Sequence, residues 1–326
     1  MLKRFTAARE DRPDRDWLAR FAAGRDEAER WYLGEGLADP PTAAECRAAL
    51  HHHMPELLPL YDQACALVGD DDLARRLLSH YRLPPLGGGC SQAVWLGRDG
   101  PALVRNYDFP LEIVSDRFEA TSWFGREVIA KAQRPWGGCL DGMNEDGLVA
   151  SLTAGGGQGQ GRGFSIILIL RYLLETCRRV DEAIMALCRI PVATSQNVTL
   201  LDRSGAYATV FVGPDRVPAV TRSRTCANHQ EGVTLPEAAA QSRTIERQEV
   251  MARALSDPAM TLSVLTARFF EPPLYSRHAR FATVYTAVYR PAEGSVDYLW
   301  PGKRWHQRVG GFEPGEYTHD YGELIA

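Results

Sequence analysis

The chain has few of the features that mark nucleic-acid-binding, membrane or secreted proteins. Its 326 residues contain 37 Lys and Arg against 41 Asp and Glu, a net charge of −4, whereas a nucleic-acid-binding protein normally has a basic excess. The longest apolar stretch, residues 164–170, is far shorter than the about 20 residues that cross a membrane. The N-terminal residues include basic side chains but no apolar segment, so we expect no secretory signal. These absences predict a cytoplasmic protein that binds neither nucleic acid nor a membrane.

The cysteines, histidines and glycines do not form the patterns of a disulfide framework, a metal site or a nucleotide site. The seven cysteines are odd in number and none has CxxC spacing, so we expect reduced thiols that are either buried or catalytic. Three adjacent histidines, residues 51–53, would point in three directions on a helix. The glycine-rich residues 155–163 contain neither GxGxxG nor GxxxxGK(S/T), which favours a loop beside a pocket. We therefore predict no metal and no cofactor.

The first part of the chain has the apolar spacing that is typical of helices. Apolar side chains recur at three- and four-residue intervals over residues 14–23, 43–68 and 70–81, with Thr42 as a candidate N-cap. The prolines and glycines of residues 84–89 then end this pattern. We therefore predict that residues 1–89 form a helical N-terminal segment.

After Gly89 the pattern changes to short strands and apolar helices. Asp99-Gly100 and Asp146-Gly147 are typical hairpin turns, and they are flanked by apolar runs at residues 91–96, 102–107, 139–144 and 148–153. Further helices are predicted over residues 164–177, 180–188 and 236–255, and further strands over 199–201, 207–213, 217–221, 283–290 and 295–300. This order, without an internal repeat, predicts one α+β domain in which helices cover antiparallel sheets.

Cys90 is the cysteine with the most distinctive surroundings. It follows three glycines and opens the first predicted hairpin, and its partner strand ends at Arg105-Asn106-Tyr107-Asp108. A turn at Asp99-Gly100 is expected to bring Cys90 and Asp108 opposite each other at the open end of that hairpin. A thiol, an arginine and an aspartate gathered there would form a reactive environment.

Several segments resemble one enzyme family, in the same order along the chain. Gly89-Cys90-Ser91 followed by residues 105–108 is similar to the start of the N-terminal-nucleophile (Ntn) hydrolases of the penicillin acyltransferase (acyl-coenzyme A:6-aminopenicillanic acid acyltransferase) and choloylglycine hydrolase type. The other similar segments are 141–148 (DGMNEDGL), the helix pair 171–175 and 180–183, 227–229 (ANH), 242–243 and 280–286 (RFATVYT). The acyltransferase branch fits better than the bile-salt branch. Ala227 in place of a threonine and Gln230 in place of a large apolar residue depart from the family pattern and bear on substrate preference.

The resemblance implies a fold and a maturation step. The fold would be the Ntn hydrolase fold, a four-layer αββα sandwich of two antiparallel sheets covered by helices. The precursor would cut itself between Gly89 and Cys90, and the neighbouring glycines would allow the strained backbone that this step needs. Residues 1–89 would become an α chain that stays docked, and residues 90–326 the catalytic β chain, together one structural domain.

The resemblance also implies a role for each site residue. Cys90 would carry both nucleophile and base, because an α-amine with a reference pKa of about 7.7–8.0 can take the thiol proton near neutral pH. Asp108 would orient the α-ammonium, and Arg280, with Arg105 as a second candidate, would supply the compensating positive charge. Asn228 would donate to the oxyanion of the tetrahedral intermediate. For Arg105, a structural salt bridge is an equal alternative.

The resemblance leaves the reaction and the partners open. Hydrolysis of a small amide or N-acyl amino compound is favoured, because water is always available and the sequence has no coenzyme A motif. Transfer of an acyl group from a thioester such as acyl-coenzyme A to an amine is the alternative enzyme activity. A degenerate member that only binds a small ligand is the non-enzyme alternative. The expected partners are a small-molecule substrate and the chain's own cleaved N-terminal segment, and a homo-oligomer is left open.

Overall fold

The computed structural model describes residues 1–34, 39–85, 87–134, 136–157, 159–214, 216–231 and 242–325. Its strands form two sheets. The nine-stranded sheet contains β1 (Leu2–Arg9), β4 (Arg117–Thr121), β5 (Val128–Gln133), β6 (Gly138–Asn144), β7 (Val149–Ala154), β8 (Gln196–Leu201), β9 (Tyr207–Gly213), β10 (Arg216–Thr221) and β15 (Gly315–Asp320). Their order is β10-β9-β8-β7-β6-β5-β4-β1-β15. All neighbours are antiparallel except β1 and β4, which are parallel.

The six-stranded sheet carries the first predicted hairpin. It contains β2 (Gly89–Gly97), β3 (Gly100–Phe109), β11 (Thr225–Cys226), β12 (Ala282–Arg290), β13 (Ser295–Trp300) and β14 (Lys303–Arg308). Their order is β11-β2-β3-β12-β13-β14, and every neighbouring pair is antiparallel. The hairpins β2–β3, β6–β7 and β12–β13 are therefore confirmed, although β14 and β15 follow the pair that was expected to end the fold.

The helices lie in two groups along the chain. The N-terminal group is α1 (Arg15–Gly34), α2 (Ala43–His53), α3 (Leu58–Val68) and α4 (Asp72–Ser79), and the later helices are α5 (Ile166–Thr176), α6 (Val180–Arg189), α7 (Thr244–Ser256) and α8 (Leu262–Arg268). Thr42 caps α2 as expected, since its side chain accepts from the Glu45 N–H. The single helix expected over 43–68 is interrupted at Met54 and Pro55. Residues 236–241 of the expected 236–255 helix lie outside the described residues, and α7 begins at Thr244. No helix in the described ranges is long and apolar enough to cross a membrane.

The prediction of a purely helical N-terminal segment is wrong at its start. Residues 2–9 form β1, which pairs with β15 on one side and with β4 on the other. Phe5 on this strand is fully buried and contacts the rings of Phe118 and Trp300. Nothing in the local pattern of residues 2–9 shows these partners, because both are distant in sequence.

The two sheets face each other and each carries helices on its other side. On β3, alternate residues such as Leu103 and Tyr107 pack into the large core between the sheets, while Ala102 and Val104 pack with α7 and α8, as the period of two in a strand requires. Helix α5 packs on β6 and β7, on the outer side of the nine-stranded sheet. The expected four-layer αββα arrangement of an α+β domain is confirmed.

Candidate active site

Cys90 is the second residue of β2, and its side chain packs into the core between the sheets. It is 2% exposed, and its Sγ accepts a hydrogen bond from Arg105 Nη2 at 3.2 Å. Its backbone is also held: the N–H donates to Asn228 Oδ1 at 2.9 Å and the carbonyl accepts from Arg247 Nη1 at 2.7 Å. Three polar side chains therefore fix both the thiol and the backbone around it.

Positions 88 and 89, just before Cys90, each favour glycine, and the structural reason differs between them. Gly88 has φ +150°, a conformation that residues with a side chain rarely adopt. Gly89 lies against Asp108, and a Cβ atom at position 89 would be 3.2 Å from Asp108 Cβ and 3.3 Å from Asp108 Oδ2. A side chain at position 88 would therefore strain the backbone, and one at position 89 would crowd the carboxylate.

Arg105 links the thiol to a buried carboxylate. Its Nη1 donates to Asp141 Oδ2 at 2.7 Å and to Ser151 Oγ at 3.1 Å, and both Arg105 and Asp141 are fully buried. Asp141 also accepts from the hydroxyls of Tyr285, at 2.5 Å, and Tyr289. Burial alone would lower the pKa of Arg105, but the Asp141 carboxylate raises it, so the guanidinium beside the thiol stays charged. The structure thus brings Arg105 to Cys90 and also gives it the salt bridge of the alternative hypothesis.

Asp108 lies next to Cys90 but on the other face of the sheet. The β2–β3 turn is centred on Arg98 and Asp99, so Gly97 pairs with Gly100, Gly89 with Asp108 and Cys90 with Tyr107. The expectation that Cys90 and Asp108 stand opposite each other is therefore wrong by one residue. Because strand side chains alternate between faces, this shift places the carboxylate on the outer face, beside the backbone of Gly89.

Arg247 is the residue that sequence reasoning missed. It lies on α7 and is 3% exposed. Besides the Cys90 carbonyl, its guanidinium donates to Ser91 Oγ at 2.8 Å and to Asn228 Oδ1 at 2.6 Å, and it is 3.7 Å from Asp108 Oδ2. Asp108 Oδ1 accepts from the hydroxyl of Thr283 at 2.7 Å.

A sequence signal for Arg247 existed in the pattern of its helix. The buried residues of α7 are Thr244, Arg247, Met251 and Leu255, at the spacing of an inward-facing stripe. An arginine on such a stripe needs a polar partner inside the protein. The neighbouring segment 242–243, which resembles the family, does not bring its arginine to Cys90, because Arg243 is exposed and pairs with Glu246.

Asn228, which holds the backbone N–H of Cys90, has a side-chain donor that is not used within the described part of the chain. Its backbone N–H donates to Thr244 Oγ1 at 2.7 Å, and its Oδ1 accepts from Cys90 and Arg247. With Oδ1 occupied in this way, Nδ2 is buried and has no hydrogen-bond partner among the described residues. A buried amide N–H without a partner is costly, and it is available to an oxygen atom that binds beside Cys90.

The two departures from the family pattern have different surroundings. Ala227 is fully buried and its carbonyl accepts from Thr153 Oγ1 at 2.7 Å. Gln230 is 2% exposed, and its Nε2 donates to the carbonyls of Gln196 and Val212 at 2.9 and 3.1 Å. Gln230 therefore joins backbone segments of the nine-stranded sheet.

Arg280 does not lie beside the thiol. It belongs to a short 3-10 turn, Ala279–Phe281, just before β12, and it is exposed on the wall of a separate cavity. The cations near Cys90 are Arg105 and Arg247. The expectation that Arg280 compensates Asp108 is corrected accordingly: Arg247 occupies that position.

Burial dominates the electrostatics of the site in the intact chain. It raises the pKa of the Cys90 thiol to about 11, against the opposing effect of Arg105. Burial also raises the pKa of Asp108, although Arg247 opposes the shift, and it lowers the pKa of Arg247. The thiol is therefore protonated at neutral pH, and a nearby base is needed before it can act as a nucleophile.

Two cavities meet at this site. A space of about 20 Å³ lies beside Cys90 and is lined mainly by apolar side chains that include Leu140, Leu152 and Ile167. A larger cavity of about 510 Å³ lies on the other side of Gly87 and Gly88, which line both. The smaller space has room for about one water molecule, and Gly87, Gly88 and Gln133 line both spaces.

Comparison with known proteins gives one family match. The model of the family described as acyl-coenzyme A:6-aminopenicillanic acid acyl-transferase matches residues 95–305. The match begins beyond Cys90 and includes Arg105, Asp108, Asn228 and Arg247. No curated protein matches the chain.

Several solved structures are similar to the chain at low sequence identity. A variant of conjugated bile acid hydrolase from Clostridium perfringens has a TM-score of 0.49 and 12% identity, over 73% of this chain and 99% of that chain. The Caenorhabditis elegans ortholog of N-acylethanolamine-hydrolyzing acid amidase has a TM-score of 0.46 and 13% identity, over 62% and 93%. Penicillin V acylase from Agrobacterium tumefaciens has a TM-score of 0.40 and 17% identity, over 68% and 86%.

Proposed function

Because the chain belongs to the acyl-coenzyme A:6-aminopenicillanic acid acyl-transferase family, an Ntn family of acyltransferases and hydrolases, we propose that it cleaves a small non-peptide amide or N-acyl amino compound with Cys90 as nucleophile. One observation carries this assignment: the Cys90 thiol contacts Arg105 while its backbone N–H is held by Asn228, whose own Nδ2 has no partner among the described residues. In acyl transfer through a thioester, a thiol supplies the nucleophile, a cation stabilises its thiolate and an amide donor stabilises the oxyanion.

The first step of the proposal is self-cleavage of the Gly89–Cys90 bond. The Cys90 sulfur attacks the carbonyl carbon of Gly89, the C–N bond breaks, and the nitrogen keeps the proton released by the thiol. Water then hydrolyses the thioester, which leaves a carboxylate on Gly89 and a free amine on Cys90. Gly88, whose φ of +150° residues with a side chain rarely adopt, and Gly89, where a Cβ would be 3.2 Å from Asp108 Cβ, support a close approach of the chain at this bond.

In the mature enzyme, the new α-amine takes over the role of base. It removes the thiol proton, the thiolate attacks the substrate carbonyl, and Asn228 Nδ2 donates to the developing oxyanion. Arg105 stabilises the thiolate that it already contacts. Asp108, which lies against the Gly89 backbone, accepts from the α-ammonium, and Arg247 balances its charge.

The second half of the cycle decides between hydrolysis and transfer. The α-ammonium protonates the leaving amine, and water then attacks the thioester and frees the acid. An amine in place of water would give acyl transfer. This reaction is the alternative, and it is the one that the family description names. Incubating the enzyme and substrate with and without an added amine, and separating the free acid from the new amide, distinguishes the two reactions.

Two further parts of the proposal concern the N-terminal chain and the location of the protein in the cell. The N-terminal chain, residues 1–89, stays bound after cleavage, since β1 is hydrogen-bonded on both sides. The cytoplasmic location remains a prediction from the sequence.

The Asn228→Ala variant separates transition-state stabilisation from substrate binding. We expect kcat to fall by about 10²–10³, the usual effect of losing one oxyanion donor, with little change in KM. Steady-state kinetics on N-acyl amino compounds provide the measurement, with intact mass as a check that the variant is still cleaved. His229→Ala is the control, because the half-buried ring of this neighbour contacts Thr244 Oγ1, while its backbone carbonyl, which the variant keeps, accepts from the Asn197 side-chain amide. Normal kcat in Asn228→Ala would leave the oxyanion donor unassigned.

The Asp141→Asn variant tests whether Asp141 positions and balances Arg105. Loss of the carboxylate leaves the Arg105 charge to act on the thiol alone, which lowers the pKa of Cys90. We therefore expect the acid limb of the pH profile of kcat/KM to move to lower pH, with kcat/KM about tenfold lower at its maximum because the guanidinium is less well held. Tyr289→Phe removes a hydroxyl from the same carboxylate but keeps its charge, so its acid limb should not move. An equal shift in both variants, or in neither, would contradict this role.

A further inference from the structure

The larger cavity has the size and lining of a small-molecule site. Its volume of about 510 Å³ lies within the usual range for such sites. It is formed by α1, the end of β3 and the Ala279–Phe281 turn, and its walls include the rings of Trp31, Phe109 and Phe281. Ile113 and Phe281, at its edge, are 49% and 44% exposed. Exposed apolar side chains around a concave space indicate a binding surface.

The charges on the cavity wall do not cancel. Glu27 and Arg134 form a salt bridge with 2.8 Å between Oε2 and Nη1, so these two side chains neutralise each other. Arg280 also lines the cavity, and within the described ranges it makes neither an ion pair nor a side-chain hydrogen bond. One guanidinium is thus free to bind an anion, and guanidinium binds carboxylates well because two N–H groups can donate in parallel.

The position of the cavity relative to Cys90 shows which part of a substrate it would hold. The space beside the thiol is small and apolar, and it meets the larger cavity at Gly87, Gly88 and Gln133. These glycines belong to the new end of the N-terminal chain that cleavage after Gly89 would create. A substrate carbonyl held against the Cys90 thiol would then direct the amine part of the amide towards the larger cavity and Arg280.

We propose that Arg280 is a specificity-determining residue that binds the carboxylate of the amine part, so that the substrates are N-acyl derivatives of apolar amino acids. The apolar side chain of the amino acid packs against Phe109 and Phe281, and its carboxylate accepts from the Arg280 guanidinium. This inference rests on the proposed function for the position of the acyl group, but the anion site itself is present in the intact chain.

Binding measurements on the full-length protein test the anion site without requiring turnover. N-butanoylphenylalanine and its neutral analogue N-butanoylphenylalaninamide differ in one charge and are titrated by isothermal calorimetry. We expect the carboxylate to bind about tenfold more tightly, which corresponds to about 1.4 kcal/mol. Arg280→Gln should reduce this ratio to near one, whereas Arg280→Lys should keep part of it. Arg308→Gln, which removes an exposed guanidinium that does not line the cavity, should leave the ratio unchanged.

The same compounds separate this inference from the proposed function. If both compounds are hydrolysed, bind with equal affinity and keep the same affinity ratio in Arg280→Gln, the role of Arg280 is overturned. The proposed enzyme activity would then still stand. The site is supported if the carboxylate compound binds tenfold more tightly than the neutral analogue and Arg280→Gln abolishes this preference. This holds even if neither compound is turned over. An equal loss of preference in Arg308→Gln would also contradict the proposal, because it would show a general effect of net charge.

Discussion

The Cys90→Ala variant is expected to purify as one uncut chain of 36.2 kDa, whereas the unaltered protein yields two chains that separate after Gly89. The reason is that the Cys90 sulfur is proposed to attack the Gly89 carbonyl, and no other cysteine in the part of the chain that the structure describes lines the cavity at this bond. Intact mass spectrometry and N-terminal sequencing of the heavier chain provide the measurement. The heavier chain should begin at Cys90, and acyl-transfer or hydrolase activity should be absent in the variant.

A matched cysteine variant shows whether this effect is specific. Cys188 is the exposed cysteine, and Cys188→Ala should be cleaved as completely as the unaltered protein. Cleavage of Cys90→Ala at residue 89 would show that another group cuts the chain. A single uncut chain in the unaltered protein, together with activity, would mean that Cys90 acts without a free α-amine.

The Arg247→Met variant is expected to lose about 10²–10³ in kcat and about 3 kcal/mol in the free energy of unfolding. Its guanidinium holds the Cys90 carbonyl and the Asn228 amide oxygen and balances Asp108. Removal of one partner from a buried charge cluster costs about 3–5 kcal/mol, because the other charge is left uncompensated. Loss of the contact to Asn228 also frees the oxyanion donor from its position. Steady-state kinetics and denaturant unfolding measure the two effects.

Arg243→Gln provides the control for this variant. Arg243 lies four residues earlier, immediately before α7, but it is exposed and pairs with Glu246. Its removal should change the free energy of unfolding by less than about 1 kcal/mol and leave kcat near its original value. Arg247→Lys should fall between the two, since an ammonium group keeps the charge but cannot make the paired contacts of a guanidinium. If Arg247→Met and Arg243→Gln had the same activity, the guanidinium of Arg247 would have no part in the chemistry.

The sequence predicted the local parts of the fold well and the long-range parts poorly. Turn dipeptides and apolar runs identified the hairpins β2–β3 and β6–β7, and the strand pattern identified β12–β13, because each hairpin is set by neighbouring residues. Strand β1 was missed, since its partners β4 and β15 are far away in the chain. The break between α2 and α3 at Met54-Pro55 was also missed, although a proline interrupts the hydrogen bonds of a helix.

The site shows the same division between local and distant information. Cys90, Arg105 and Asn228 were named from short motifs, and the structure brings these three together. The face of the sheet on which Asp108 lies depends on the pairing register of β2 and β3. A shift of one residue reverses that face, and a motif does not determine the register. Arg280 was named from a motif and Arg247 was not, and only packing shows that Arg247 is buried beside Cys90 and that Arg280 is exposed at a cavity.

Strand β1 makes the N-terminal segment an integral part of the nine-stranded sheet. It lies inside the nine-stranded sheet and is the strand that joins β15 to the rest of that sheet. A gene that encoded residues 90–326 alone would supply the nucleophile without any self-cleavage, but β4 and β15 would then each have an unpaired edge, and such edges favour aggregation. If the Gly89–Cys90 bond is cut as proposed, the segment would act as a template for folding as well as a blocking group. The two halves would have to be synthesised as one polypeptide, or refolded together, before either could reach its native state.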